Sequence, residues 1–271
     1  MRTGSSSGWA SATDGRQTPA RRFGVALAFV VTSALLLTDP VRAQSTGKTP
    51  SRPAASAADD AVVQQDSARL VEDIREVQRD LHAKQAALGR RPDREPSIAI
   101  ERATGLLYYA HSRRLLIVPL WSAMGPQARA LYVTIAGDSA GARKAFEDIV
   151  WFYVPHDLGH QFLNESGVAF TPWEHEYTAS AMALAFRRER GELQRLREIR
   201  TLAESAVQRM APLDPTPPGE DRRAYFNREY RKVLSNPEAY AFIQLVMLAE
   251  LLAEPQPKTL AELSAALPPR P

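Results

Sequence analysis

"IVWFYVPHDLGHQF", residues 149–162, lies near the middle of the chain and decides how its fold is interpreted. The first six residues are apolar on every side of a helix, which is typical of a helix at the centre of a domain. Pro155 removes one backbone donor from this helix and should bend it just before His156. His156 and His160 are four residues apart, so both side chains lie on one face. Polar side chains at the buried end of a core helix are unfavourable unless something there uses them.

A second helix is predicted directly downstream, where "TPWEHEY" covers residues 171–177. Thr171 is a good N-cap, Pro172 suits the first helical position, and Glu174 stands at the third. These residues form a capping box, in which the Glu174 carboxylate folds back onto the backbone amide of the N-cap. Glu176, two residues further on, stays available for another partner.

The two helices are expected to place His160 and Glu176 at the same height. Each residue lies about one turn from the connecting loop, which is a distance of roughly 6 Å. A short helix–loop–helix returns antiparallel, so the two side chains come level. Two imidazoles and one carboxylate then converge and leave a fourth position for water, which is the ligand set of a catalytic zinc site. Two alternatives stay open: His175 as the third ligand, although it points about 100° away from Glu176 around the helix, and purely structural histidines.

"HDLGH" at residues 156–160, followed by "EHEYTASAMA" at residues 174–183, resembles the pattern of gluzincin-type zinc metallopeptidases. The resemblance covers residues 154–186. It implies that His156, His160 and Glu176 are zinc ligands and that the substrate is a polypeptide or peptide. It also implies that Asp157 is the general base that takes a proton from water at the metal.

One residue departs from this family pattern, because Asp157 stands where the family has glutamate. Aspartate is shorter by one methylene group, and a misplacement of about 1 Å can reduce a rate on the order of 100-fold. The sequence therefore predicts an exported zinc-dependent hydrolase and leaves two alternatives. One is a non-catalytic relative that binds zinc, and the other is a metal-free helical scaffold of the cell envelope.

The beginning of the chain has the pattern of a secretory signal peptide. Arg21 and Arg22 precede an apolar run over residues 23–37, and the small residues Val41 and Ala43 follow it. We predict a signal peptide over residues 1–43, cleavage after Ala43, and export to the periplasm or the medium. The apolar run of 15 residues is short for a spanning helix, which needs about 20. No stable membrane anchor is therefore expected once the signal is removed.

Charge and cysteine content limit the classes of partner and the means of stabilisation. The chain has 34 basic and 31 acidic residues, and the first 43 residues hold five arginines and two acids. The remaining 228 residues therefore carry 29 of each sign. This neutral balance gives no indication of nucleic-acid binding. There is no cysteine and hence no disulfide, but 228 residues are enough for one sizeable core.

The periodicity of apolar residues predicts a mainly α (α+β) protein. Residues 44–57 are rich in small residues and proline and predict a flexible linker. Residues 58–271 are expected to form a single, mostly helical, zincin-like domain with a small β-hairpin. The hairpin is predicted between residues 97 and 120, where "LLYYAH" and "RLLIVPLW" flank a turn. The predicted helices cover residues 59–88, 126–136, 142–163, 172–210, 221–234, 237–253 and 258–267.

Position along the chain also predicts whether several other polar and aromatic residues are exposed, packed or close to the ligands. His82 is predicted on the charged, exposed side of the first helix. Ser180, one turn after Glu176, is expected close to the ligands. Tyr225, Tyr230 and Tyr240 are expected to pack in the late helices, with a hydrogen bond from one of them to an oxyanion as the alternative.

Overall fold

The structure is a computed structural model that describes residues 57–101 and 105–268. The predicted signal peptide and nearly all of the predicted linker lie outside these residues. The described part contains eight α-helices and three short strands, so the prediction of a mainly helical fold with a small β element is confirmed. The helices are α1 Ala57–Ala87, α2 Pro126–Ala136, α3 Ala142–Glu165, α4 Pro172–Glu189, α5 Leu193–Met210, α6 Arg222–Leu234, α7 Pro237–Ala253 and α8 Leu260–Ala265.

A small sheet lies beside the helices and has the strand order β1-β3-β2. The antiparallel pair β2, Tyr108–Ala110, and β3, Leu115–Pro119, is the predicted hairpin. The third strand β1, Ser97–Glu101, pairs in parallel with β3 and was not resolved as a separate strand by the sequence pattern. β2 forms one edge of the sheet and packs against α3.

The prediction of one long helix over residues 172–210 is wrong, because the structure has two helices there. α4 ends at Glu189 and α5 begins at Leu193. Gly191, between them, has a φ of +75°, a left-handed conformation that glycine adopts without a steric penalty. The single glycine in "RERGELQ" is therefore a helix end rather than a tolerated interior residue.

α3 occupies the centre of the domain, as its apolar sequence predicts. Phe152, Leu158 and Leu163 have no measurable exposure. α4 packs along α3 so closely that a Cβ atom added at Gly159 would lie 3.5 Å from the Cα atom of Ala179. That separation is ordinary van der Waals contact, so alanine would fit there and a larger side chain would push α4 away. Over the described ranges, no helix combines the length and apolar character that crossing a membrane requires.

α3 continues through Pro155 as one helix, and α4 supplies the hydrogen bond that the proline removes. Proline has no backbone N–H, so the carbonyl of Trp151, four residues earlier, loses its helical partner. Arg187 of α4 donates from Nη2 to this carbonyl oxygen. The Arg187 side chain is buried, and its guanidinium carbon lies 4.4 Å from the centre of the Trp151 ring. Glu192 accepts a further hydrogen bond from Arg187 at 3.1 Å.

α1 packs on the domain through a wider face than its sequence predicts. Ile74 and Leu81 of the predicted apolar stripe are buried, but so is His82, which is 6% exposed. The prediction of an exposed His82 is therefore wrong. Its ring lies edge-on to Phe162, with centroids 5.6 Å apart, and burial lowers its pKa. The cause is that α1 contacts both α3 and the sheet, so polar residues that flank the stripe are covered as well.

Candidate metal centre

Side chains from α3 and α4 meet in the interior of the domain: His156, His160 and Glu176. The Nε2 atoms of the two histidines are 3.0 Å apart. The Oε2 atom of Glu176 lies 3.4 Å from Nε2 of His156 and 3.5 Å from Nε2 of His160. The residues are 2%, 9% and 3% exposed, respectively. The structure thus brings together the three residues predicted as ligands, and within the described ranges they are the one such group that could hold a metal ion.

The distances fit a tetrahedral metal centre. Nitrogen and oxygen ligands lie about 2.0–2.2 Å from zinc, which separates tetrahedral ligand atoms from one another by about 3.3–3.6 Å. The measured separations of 3.0, 3.4 and 3.5 Å are close to these values. Only the two imidazoles need to move apart slightly, and three protein ligands leave one coordination position over.

Hydrogen bonding orients the first ligand for this role. The Nδ1 atom of His156 lies 2.9 Å from Oγ of Ser180, which is fully buried. In the tautomer with its proton on Nδ1, His156 would donate to this hydroxyl oxygen and present the lone pair of Nε2 to the cluster. The expected position of Ser180 beside the ligands is confirmed. His175 is not part of the cluster, because its ring stacks on His160 with centroids 4.6 Å apart.

Burial and mutual contacts shift the pKa values of the three residues in different directions. Burial and the neighbouring His160 lower the pKa of His156 to about 4. Burial opposes the charge on His160, but the carboxylates of Glu176 and Asp157 outweigh it and raise its pKa. Burial likewise opposes the Glu176 anion, but His160 and the hydrogen bonds from both histidines hold the pKa of Glu176 well below its ordinary value. A metal ion would therefore replace a proton on His160, and its affinity should fall as the pH is lowered.

Donors from α6 and α7 surround the Glu176 carboxylate. The Tyr230 hydroxyl donates to Oε1 at 3.1 Å, and the Tyr240 hydroxyl donates to Oε2 at 3.1 Å. Nε2 of Gln244 donates to Oε2 at 2.9 Å. Both tyrosines pack against the core as predicted, and each hydroxyl also holds the Glu176 carboxylate, a partner that the sequence did not indicate. Spacing along one helix could not have revealed these partners, because they come from distant parts of the chain.

Asp157 lies beside the three ligands and is not one of them. It is 5% exposed, and its Oδ2 atom has no hydrogen-bond partner in the part of the chain that is described. Burial, reinforced by Glu176 and opposed by His160 and the Tyr109 backbone, raises the pKa of Asp157 to about 7. The hydroxyl of Tyr153 is also buried without a partner among the described residues. Its ring lies edge-on to His156, with centroids 4.9 Å apart.

Replacement of Tyr240 by phenylalanine should weaken zinc binding by about 10- to 100-fold, the usual effect of removing a group that orients a ligand. One of the two donors to Oε2 is lost, so the carboxylate is held less firmly. The measurement is a competition titration against a chromophoric chelator. Tyr225→Phe is the matched control, because this buried tyrosine of α6 packs against Arg228. Equal zinc affinities for Tyr240→Phe and the parent would contradict the role assigned to Tyr240.

Replacement of Glu174 by alanine should lower the free energy of unfolding by about 0.5–2 kcal/mol and leave zinc affinity unchanged. Glu174 closes the predicted capping box, since its Oε2 accepts from the Thr171 amide at 3.1 Å. Its ion pair with Arg223 is exposed and contributes little. Urea unfolding of the metal-free chain and a zinc titration give the two quantities. A large loss of zinc affinity would show that Glu174 belongs to the metal centre.

Comparisons of the chain with models of protein families, with curated proteins and with solved structures gave no match.

Proposed function

We propose that this protein is an exported zinc-dependent hydrolase of the metallopeptidase type. One observation carries the proposal: three ligand atoms converge at metal-binding distances next to a buried carboxylate oxygen and a buried hydroxyl that lack partners among the described residues. Two imidazoles and one carboxylate are the protein ligands of many catalytic zinc sites, which keep a fourth position for water or substrate. The resemblance of residues 154–186 to gluzincins supports the same reaction class.

Zinc bound by His156, His160 and Glu176 would supply Lewis acidity at a carbonyl group and lower the pKa of a water molecule. Asp157, whose Oδ2 has no partner among the described residues, would accept a proton from the attacking water and pass it to the leaving amine. Its raised pKa of about 7 suits a group that both accepts and donates a proton. The hydroxyl of Tyr153 is a donor for the oxygen on which negative charge develops.

The edge strand β2 supports an extended polypeptide as substrate. The backbone of Tyr109, in the middle of β2, lies close enough to Asp157 to lower the pKa of that carboxyl group. The strand, which packs against α3, is therefore a neighbour of the proposed base. A strand at the edge of a sheet presents backbone donors and acceptors that an extended peptide can pair with. Main-chain pairing at β2 would hold a scissile bond close to the ligands.

A zinc-binding protein without hydrolytic activity is the second candidate, and the burial of the cluster favours it. All three ligand residues are less than one-tenth exposed. Structural zinc sites are closed, whereas catalytic sites must admit a substrate. The two candidates therefore differ in whether the fourth position can be reached from the solvent.

The proposed function is tested with the purified chain loaded with one equivalent of zinc. We expect hydrolysis of unfolded protein or short peptides that stops with a chelator and returns when zinc is added back. Zinc binding without turnover would leave the non-catalytic candidate, and hydrolysis that is insensitive to chelator would exclude both. N-terminal sequencing of the exported protein should begin at Gln44 if the predicted cleavage is right.

A further inference from the structure

The buried guanidinium of Arg187 needs an explanation beyond packing. It is 2% exposed, although burying a charged group is unfavourable unless it is well paired. Arg187 donates to Glu192 and to the carbonyl oxygen of Trp151, while its Nε has no partner in the described residues. The Trp151 carbonyl has no helical donor because Pro155 lacks an N–H. The buried cation and the helix-interrupting proline therefore belong to one arrangement.

This arrangement lies in line with the metal centre along the α3–α4 pair. α3 and α4 are antiparallel, so residue numbers fall along α3 as they rise along α4. Three contacts follow one another along the pair: His160 with Glu176, Gly159 with Ala179, and Trp151 with Arg187. A displacement of α4 by one helical turn would move Glu176 by about 5.4 Å along α3. The ligand atoms could then no longer converge, so metal binding depends on this one alignment.

Where α3 and α4 approach most closely at Gly159, no large side chain fixes their alignment. Gly159 faces Ala179, and Ala183 follows one turn later on the same face of α4. Both alanines are fully buried. Small side chains leave smooth surfaces that can pack in more than one alignment. Buried polar groups are known to specify register where apolar packing does not.

We propose that Arg187 is a positioning residue, whose hydrogen bond to the Trp151 carbonyl freed by Pro155 fixes the register of α4 on α3 and so brings Glu176 level with His160. The other carbonyls in the middle of α3 already accept a hydrogen bond within the helix, so a displaced arginine would gain less there than at the Trp151 carbonyl, which has no helical donor. The Trp151 carbonyl therefore provides an acceptor without a helical donor at one position along α3, and Arg187 donates to it there. The proposal rests on the metal centre of the proposed function and is independent of hydrolysis.

Three variants of the full chain test whether Arg187 sets the register of α4 on α3 or only satisfies the Trp151 carbonyl. Arg187→Met removes the donor and keeps an apolar stem against Trp151. Pro155→Ala restores the N–H that bonds this carbonyl within α3. The double variant Pro155→Ala with Arg187→Met therefore has no unpaired carbonyl and no arginine to set the register. Arg195→Met is the control, since Arg195 lies 4.6 Å from the same Trp151 ring and is partly exposed.

The thermal midpoint of the metal-free chain and the zinc dissociation constant are measured for each variant. We expect Arg187→Met to lower the midpoint and to weaken zinc binding by about 10- to 100-fold, as other losses of ligand positioning do. In the double variant the midpoint should recover while zinc binding stays at least about 10-fold weaker. Recovery of both quantities would overturn the proposal, because Arg187 would then only satisfy the carbonyl. An equal effect of Arg195→Met, or no effect of Arg187→Met on zinc, would overturn it as well.

A second measurement reads the register without metal and covers the case in which the parent binds no zinc. The chain has no cysteine, so spin labels can be placed at Arg143→Cys on α3 and Arg188→Cys on α4. Pulsed electron paramagnetic resonance should give a single distance between the two spin labels in the labelled parent. The double variant should show an added distance, shifted by up to about 5.4 Å. An unchanged single distance would overturn the proposal, whereas absence of zinc from the parent with a shifted distance would overturn only the proposed function.

Discussion

Replacing His156 and His160 together by alanine should abolish stoichiometric zinc binding. Both Nε2 atoms lie within 3.5 Å of the Glu176 carboxylate, and a lone carboxylate holds zinc weakly. The loss of affinity should exceed the roughly 10- to 100-fold effect of changes around the ligands. Metal content after dialysis, by atomic emission or mass spectrometry, checks the result. Equal zinc in the parent and the double variant would exclude this site.

Two further variants keep that result interpretable if removing both imidazoles also weakens the fold. Glu176→Gln preserves the size of the side chain and an oxygen for the donors on α6 and α7, yet removes the anion. It should also lose zinc. His175→Ala removes the ring that stacks on His160 and should retain zinc, because His175 lies outside the cluster. Retention of zinc by Glu176→Gln together with its loss in His175→Ala would assign the third ligand to His175.

Asp157→Asn should reduce hydrolysis by about 100- to 10,000-fold and leave zinc bound, because a general base contributes that range and the amide keeps the shape. The parent rate should rise with pH as Asp157 loses its proton, with a midpoint at or below about 7. Metal in the site would favour the anion and move that midpoint downward. This rise should be absent from the residual activity of the variant. Chelator-sensitive hydrolysis that is unchanged in Asp157→Asn would mean that another residue is the base.

Asp157→Glu tests how the shorter side chain is accommodated. If α3 keeps the position that suits glutamate, the longer side chain regains its reach and the rate should rise. The structure favours the opposite result. Asp157 is buried, and β2 packs against α3 close to its carboxyl group, so an added methylene group has to displace β2. We therefore expect Asp157→Glu to be slower than the parent, with zinc binding retained.

Local sequence signals predicted most helices and the ligand cluster. Capping residues and prolines mark where helices begin, which is why α2 and α7 begin and end at the predicted residues. The cluster could be predicted because its two helices are joined by a short loop. Spacing alone then fixes which side chains come level. The relation to gluzincins and the hydrolytic activity stay predictions.

The features that sequence reasoning missed depend on contacts between distant segments. His82 is buried because α1 meets both α3 and the sheet, which no periodicity within α1 reveals. Tyr230 and Tyr240 follow Glu176 by 54 and 64 residues and reach it from later helices. The division between α4 and α5 is a different case. Gly191 gave a local signal there, but helical periodicity continued on both sides and outweighed it.

The donors around Glu176 have a consequence for the order in which the protein matures. The three ligands lie within a short stretch of chain and can approach one another as soon as α3 and α4 form a hairpin. The last donor, Gln244, follows Glu176 by 68 residues. Contacts over such separations form late, because closing the longer loop has a greater entropic cost. A nascent chain that ends before α7 can therefore gather the ligands without holding the carboxylate in place. Tight binding of a metal ion at this cluster would then require completed folding, and uptake of the ion would be a late step in biogenesis.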